Sequence, residues 1–184
     1  MNYYIDIEIQ PDNEMRENVL LNKVYTKFHK ALCELKATDI GVSFPKHKIL
    51  LGRVLRIHSS SNSLEKLQAK NWLGGLAGYC KVSAIKPVPE QIQHRIVSRK
   101  QTTMSQSKLN RLIKRQTIPE ENVKIYKANM FAKGLDNAYL ELTSASNGHT
   151  YRRYIQFSEM LPKAVEGTFD AFGLSRKASI PWFD

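Results

Sequence analysis

Histidine is the side chain best suited to moving a proton near neutral pH, and the sequence holds five, His29, His47, His58, His94 and His149. His29 follows Phe28 directly and lies one turn after Tyr25, at the edge of an apolar helical stripe. That place suits a partly sheltered general base, and it suits a half-buried helix residue equally well. Ser144 and Ser146 stand at alternate positions, so in a strand their hydroxyls share a face. Pattern alone also allows them to be two hydroxyls on an exposed strand end. A base, hydroxyls and cations together are enough to cut RNA. Its 2′-hydroxyl is an internal nucleophile beside the scissile phosphate, and it needs only deprotonation, in-line alignment and relief of developing charge.

The cations are abundant. The chain of 184 residues carries 28 Lys and Arg against 17 Asp and Glu, a formal net charge of +11. From Gln91 to Ile118 there is no acid, while Arg95, Arg99, Lys100, Lys108, Arg111, Lys114 and Arg115 are basic. Such a run calls for a polyanion, and a nucleic-acid backbone fits better than a membrane surface because no segment approaches the length of a span. The bland alternative is a solvated basic helix paired with acids elsewhere. Tyr151 and Tyr154 interleave with Arg152 and Arg153, offering rings for base stacking and cations for phosphate or guanine edges. Tyr151 would serve equally as an edge-strand residue.

Other chemistries lack their signatures. There is no Walker loop, GxGxxG or HExxH, no compact carboxylate cluster, and no metal-ligand spacing around Cys33 and Cys80, both expected as reduced, buried thiols. No cofactor is expected. The opening MNYYIDIEIQ reads as a strand and not as a signal or transit peptide, which implies a cytoplasmic protein.

The elements that must position these residues follow from periodicity. Tyr3 to Ile9 alternates as a strand, and Glu14 to Leu35 has helical period with Leu21, Val24, Phe28, Ala31, Leu32 and Leu35 as its stripe. Ile40 to Phe44 and Leu51 to His58 read as strands, Ser63 to Leu73 as a helix capped by a nearby serine or Asn62, and Tyr79 to Ile85 as a strand. Strand, helix, strand, strand, helix, strand is the ferredoxin-like order, so the fold class is α+β, with an N-terminal ferredoxin-like domain over 1–88. Pro87 and Pro89 mark the boundary to a C-terminal region over 94–184, with a basic helix and a β-hairpin. In that helix, starting at Ser105 or Ser107, Leu109, Leu112 and Ile113 share one side, while Lys108, Arg111 and Arg115 line another. Thr117 to Glu120 has the form of a capping box for a third helix reaching Met130 or Phe131, with Pro119 in its first turn. Asn147-Gly148 predicts a type I′ hairpin between Ala138–Ser146 and His149–Phe157, and the apolar tail from Thr168 to Phe183 is expected to dock into a core.

Seven strings then carry a resemblance over nearly the whole length. They are KFHKAL around His29, IGVSFP from Ile40, LGRVLRIHSS from Leu51, SRKQ from Ser98, RLIKR from Arg111, SASNG from Ser144 and FGLSRKASIPWF from Phe172. In order and spacing the chain resembles the type I-F family of CRISPR precursor-RNA endoribonucleases. The resemblance implies an enzyme that cuts at the 3′ base of the repeat hairpin by metal-independent 2′-hydroxyl attack. It would leave a 2′,3′-cyclic phosphate and a 5′-hydroxyl and stay bound to the crRNA within a type I-F interference complex. It casts His29 as the general base, Ser144 as the residue positioning the 2′-hydroxyl and Ser146 as its neighbour in the site. Arg99 and Gln101 would read base edges at the foot of the stem, Arg111, Lys114 and Arg115 would enter the hairpin's major groove, and Tyr151 would stack on the terminal base pair. Phe172 stands where the family pattern has a tyrosine whose hydroxyl orients the histidine, so packing must replace that hydrogen bond. Asn110 and Lys114 replace arginines of the pattern, keeping less of its bidentate geometry. The rival reading is a catalytically weak or inactive subunit that holds the crRNA hairpin, and a metal-dependent nuclease is a third.

Overall fold

The computed structural model describes residues 1–101, 104, 106–132, 135–144 and 148–184, the side chains of 131 and 132 excepted. The described residues form two compact units, Met1–Arg99 with Ala138–Asp184, and Lys100–Asn137. The architecture is α+β with antiparallel sheets. No helix among the described residues is long and apolar enough to cross a membrane.

The first unit is built on strand β1, Tyr3–Ile9, whose alternation puts Ile5, Ile7 and Ile9 into the core. It pairs antiparallel with β3, Val54–Ser59, through Tyr3↔Ser59 to Glu8↔Val54. β2, Gly41–Ser43, lies beyond β3, and β4, Cys80–Val82, lies on the far side of β1, giving the order β2-β3-β1-β4. The strand expected over Tyr79 to Ile85 is shorter because Ser83 interrupts the ladder: its hydroxyl accepts the Asp6 N–H at 3.0 Å. A second short piece, β5, Lys86–Pro87, then rejoins β1.

Helix α1, Glu17–Leu35, buries Leu20, Leu21, Val24, Tyr25, Phe28, Ala31 and Leu32. Tyr25 and Leu20 join the expected stripe, and Leu35 is only half-buried. Each such large side chain taken from water contributes about 1.5–3 kcal/mol. The helix ends where Lys36 turns left-handed at φ 50°. Helix α2, Ser61–Ala69, is capped by Ser60, whose hydroxyl accepts the Ser63 N–H. It stops short of the expected Leu73, and a 3₁₀ turn over Gly74–Tyr79 follows.

The C-terminal tail joins the same core. β10, Ile180–Trp182, pairs antiparallel with β6, Gln93–Arg95. Phe169, Leu174, Ala178 and Ile180 are buried. Ile180 and Phe169 pack so closely on Gly41 that a Cβ there would meet each at 2.7 Å. Phe183 covers the second face of the first sheet. Its ring lies under Arg56 at 4.1 Å, and its carbonyl accepts an Arg56 N–H at 2.7 Å. Arg56 is also paired with Asp6 at 2.6 Å, so β3 is buried on both faces.

A third sheet orders β7, Val97–Lys100, then β9, Thr150–Phe157, then β8, Tyr139–Thr143. β8 and β9 are antiparallel, with Leu142↔Tyr151 and Leu140↔Arg153. β8 is an edge, and Asn22 of α1 satisfies part of it by accepting the Glu141 N–H at 3.1 Å. Ser144 N–H donates to the His149 carbonyl at 2.9 Å, and the turn expected at Asn147-Gly148 falls partly outside the described residues. Ala145, Ser146 and Asn147 lie outside the described residues.

In the second unit, α3, Gln106–Lys114, buries only Leu109. Ile113, expected beside it, is 47% exposed. α4, Glu120–Ala132, begins with Glu120 and Glu121, where acids favour the helix dipole. The expected capping box does not form among the described residues: α4 begins at Glu120, and the Thr117 hydroxyl turns back toward α3. It donates to the Leu112 carbonyl at 3.2 Å after Gln116 has turned left-handed. Pro119 therefore precedes α4 and does not sit in its first turn.

Candidate active site

Phe28 points into the core from α1, and the next residue, about 100° further round the helix, emerges at the edge of the buried stripe. That residue is His29. Its Nδ1 lies 2.7 Å from the carbonyl oxygen of Ala171. A carbonyl can only accept, so Nδ1 carries the ring proton and donates it, leaving the lone pair on Nε2. The imidazole also lies flat on Phe172, with ring centroids 3.7 Å apart and planes at 8°.

Both contacts depend on the turn 170–174. The Asp170 carboxylate accepts the N–H groups of Phe172 at 2.9 Å and Leu174 at 3.0 Å, and Gly173 closes the turn at φ +68°. A side chain at Gly173 would be strained and would press on Val42 at 3.0 Å. The turn is pinned to β2, where Val42 N–H donates to the Gly173 carbonyl, and to α1, where the Tyr25 hydroxyl donates to the Phe172 carbonyl at 2.6 Å. Burial pushes the Tyr25 phenol well above its ordinary range, so it remains a donor.

The hairpin sheet completes the surroundings. Strand alternation gives Tyr151 and Arg153 one face of β9, opposite the buried Leu142 and Leu140 of β8. Arg153 sits over Phe172 at 3.5 Å, and Tyr151 packs against the core. Ser144 follows β8 in the same alternation as Leu140 and Leu142, and its backbone continues the ladder to His149. Ser146 lies outside the described residues. Arg99, on β7, is exposed; partial burial and the neighbouring Arg153 hold its guanidinium below the ordinary range.

Other sequence candidates lie elsewhere. Arg152 occupies the opposite face of β9 from Tyr151, 3.5 Å from Glu141 and 4.5 Å from the Tyr139 ring. Arg95 is held within the fold. Its Nε donates to the Ser158 carbonyl at 2.6 Å, and its guanidinium lies over Phe157 and Trp182. Gln101, Lys108, Arg111, Lys114 and Arg115 are all exposed in the second unit, four of them on or just after α3.

The sequence names Arg153 and Cys33 without placing either of them at this site. Arg153 was legible from alternation, since a strand that turns Tyr151 inward must turn Arg153 with it and Arg152 away. Cys33, expected to be buried, is exposed one turn after His29, with Sγ 3.7 Å from Nδ1. The helical stripe passes through Leu32, which leaves the next position outside it. Among the described residues no group of three or more His, Cys, Asp or Glu could hold a metal ion.

Known proteins are similar to this chain over its full length. A curated relative from Escherichia coli (strain UTI89 / UPEC), named CRISPR-associated endonuclease Cas6/Csy4, is 35% identical over 184 residues, covering all of both chains. One of the same name from Pseudomonas aeruginosa (strain UCBPP-PA14) is 34% identical over 187 residues, again covering both completely. A solved structure described as an RAMP protein binding different RNA substrates overlaps 98% of the chain and 99% of its own at a TM-score of 0.32 and 13% identity, too distant to bear on fold or ligand. The family model described as CRISPR-associated protein (Cas_Csy4) matches residues 4–183, and the chain belongs to that family.

Proposed function

We propose that this chain is a CRISPR precursor-RNA endoribonuclease that cuts at the 3′ base of the repeat hairpin by 2′-hydroxyl attack without a metal ion. The observation that carries the reading is the His29 tautomer: the Ala171 carbonyl holds the ring proton on Nδ1, and Nε2 is left as a base. Nε2 takes the 2′-hydroxyl proton, the 2′-oxygen bonds to phosphorus, and the bond to the 5′-oxygen breaks as that oxygen takes a proton from solvent. The products are a 2′,3′-cyclic phosphate and a 5′-hydroxyl. Ser144 aligns the attacking oxygen with Ser146 beside it, and Phe172 holds the imidazole by stacking in place of a hydroxyl.

RNA binding is divided among the remaining residues. Tyr151 stacks on the terminal pair, Arg99 and Gln101 read the foot of the stem, and Lys108, Arg111, Lys114 and Arg115 take the phosphates and major groove of the stem. Arg95 and Arg152 are proposed as further RNA-binding cations. The element order and the strand order β2-β3-β1-β4 support a ferredoxin-like frame over 1–88. Residues 94–184 serve as the RNA-hairpin-binding region, a functional division distinct from the compact units. The product stays bound in the cytoplasm, where the protein is a subunit of a type I-F interference complex.

The test is single-turnover cleavage of the repeat RNA in excess chelator, beside a substrate with a 2′-deoxy group at the scissile nucleotide. Cutting of the first and binding without cutting of the second are expected, with His29→Ala abolishing cleavage. Loss of cutting in chelator, or parent-rate cutting by His29→Ala, overturns the mechanism. The missing Phe172 hydroxyl favours a second reading, a subunit that only holds the hairpin. Tight binding with no cleavage under any condition is its outcome.

A further inference from the structure

Arg153 is buried at a cost that the described residues do not offset. It is 6% exposed, and its Nε is buried without an acceptor. Among the described residues no carboxylate forms an ion pair with it. Its neighbours are rings and a like charge: Phe172 at 3.5 Å, Tyr151 at 5.9 Å and the guanidinium of Arg99. Asp170, the acid of this region, has its Oδ1 engaged by two backbone N–H groups. A cation–π contact offsets only part of the cost of burying an unpaired charge. An anion against the guanidinium would restore the balance.

The geometry limits where such an anion could bind. His29 and Arg153 stand 3.7 and 3.5 Å from the Phe172 ring, too close for both to share one face, so they clamp it from opposite sides. The base and the cation are then about 7 Å apart. A ribose 2′-oxygen at hydrogen-bond distance from Nε2, with its adjacent phosphate at hydrogen-bond distance from a guanidinium, spans a gap of this size around the ring edge.

We propose that Arg153 is a catalytic phosphate ligand, its guanidinium binding a non-bridging oxygen of the phosphodiester whose 2′-hydroxyl His29 deprotonates. Charge grows on that oxygen as the 2′-oxygen attacks. A preorganised cation in a water-poor pocket stabilises the transition state more than the ground state. This rests on the proposed cleavage reaction and adds the residue that meets its charge.

The test uses the full chain as parent, Arg153→Gln and Arg153→Lys, with the scissile phosphate as oxygen and as each phosphorothioate diastereomer. Arg153→Gln is expected to slow single-turnover cleavage by about 100- to 1,000-fold while still binding the 2′-deoxy hairpin, with Arg153→Lys intermediate. One diastereomer should slow the parent and leave Arg153→Gln indifferent. Parent-rate cleavage by Arg153→Gln, or a sulfur effect that persists in it, shows that Arg153 only packs. A separate arm records the Arg153 Nε–H resonance of the parent during titration with the 2′-deoxy hairpin and with inorganic phosphate. A shift with the hairpin is expected, one with inorganic phosphate alone shows a general anion site, and none with either refutes the ligand. Because this arm needs no cleavage, a parent that binds but does not cut counts against the cleavage reading and not against Arg153.

Discussion

Acid should unfold this protein partly through a single imidazole. His58 is completely buried in β3, where Nε2 lies 2.8 Å from the Ser43 hydroxyl and Nδ1 has no partner among the described residues. Charging the ring would place a buried N–H on Nδ1 with no acceptor, next to Arg56 and near the amino terminus. Burial first, then those charges, lower its pKa from 6.5 to about 3. The folded state therefore binds the proton later than the unfolded chain as pH falls. Stability is fully present above about pH 6.5 and is lost progressively between there and about pH 3. The slope is about 1.4 kcal/mol per pH unit, so about 2 kcal/mol is gone by pH 5 relative to pH 8. The assay is urea unfolding at pH 8, 6 and 5 for the parent and for His58→Gln, whose amide can still meet Ser43. The difference between the two proteins isolates His58 from His47 and His94, whose pKa values burial also lowers. Equal losses of stability in parent and variant between pH 8 and pH 5 would falsify the assignment of a neutral, buried His58.

Three further outcomes follow from the packing around the site. Asp6→Ala should cost about 3–5 kcal/mol in urea unfolding, because it strands the buried Arg56 without its carboxylate, and a loss under 1 kcal/mol would count against that pair. Phe28→Ala should cost a similar 3–5 kcal/mol, since the ring is wholly buried where α1 meets the core. Asp170→Ala removes the acceptor for the Phe172 and Leu174 N–H groups. It should slow single-turnover cleavage about tenfold or more while leaving hairpin affinity near the parent's, and unchanged cleavage would show that the turn does not position His29.

How much of this could be read from the chain depended on whether the signal was local. Alternation from Tyr3 to Ile9 defines the central strand to the residue, and the stripe from Leu21 to Leu32 defines the face of α1. The long carboxyl-terminal run of large apolar side chains marks a segment that must be buried. What it covers was not visible, because Phe183 meets Arg56 and Tyr4 only through a fold that joins the chain's ends. The short strand pieces β4 and β5 escaped because Ser83 trades a ladder bond for a side-chain one. Thr117-Ile118-Pro119-Glu120 fits a capping box equally well whether or not the preceding helix has claimed the threonine. Here the C-terminus of α3 had done so.

The site itself shows how far a two-residue period can carry and where charge counting misleads. Arg152 and Arg153 are indistinguishable as cations, yet the strand assigns them opposite fates. Arg152 faces Glu141 on the exposed side, while Arg153 is driven under the aromatic floor of the imidazole. The position of Phe172 gives that difference a chemical meaning. A phenyl ring cannot donate a hydrogen bond to His29, and the backbone carbonyl of Ala171 does the orienting instead. The ring is then flanked on both faces, by the imidazole on one and the guanidinium on the other. Under the proposed cleavage a phosphodiester would pass the ring edge, where a tyrosine hydroxyl at position 172 would extend. Phe172 therefore couples the two side chains, and a change that moved its ring would displace the imidazole and the guanidinium together.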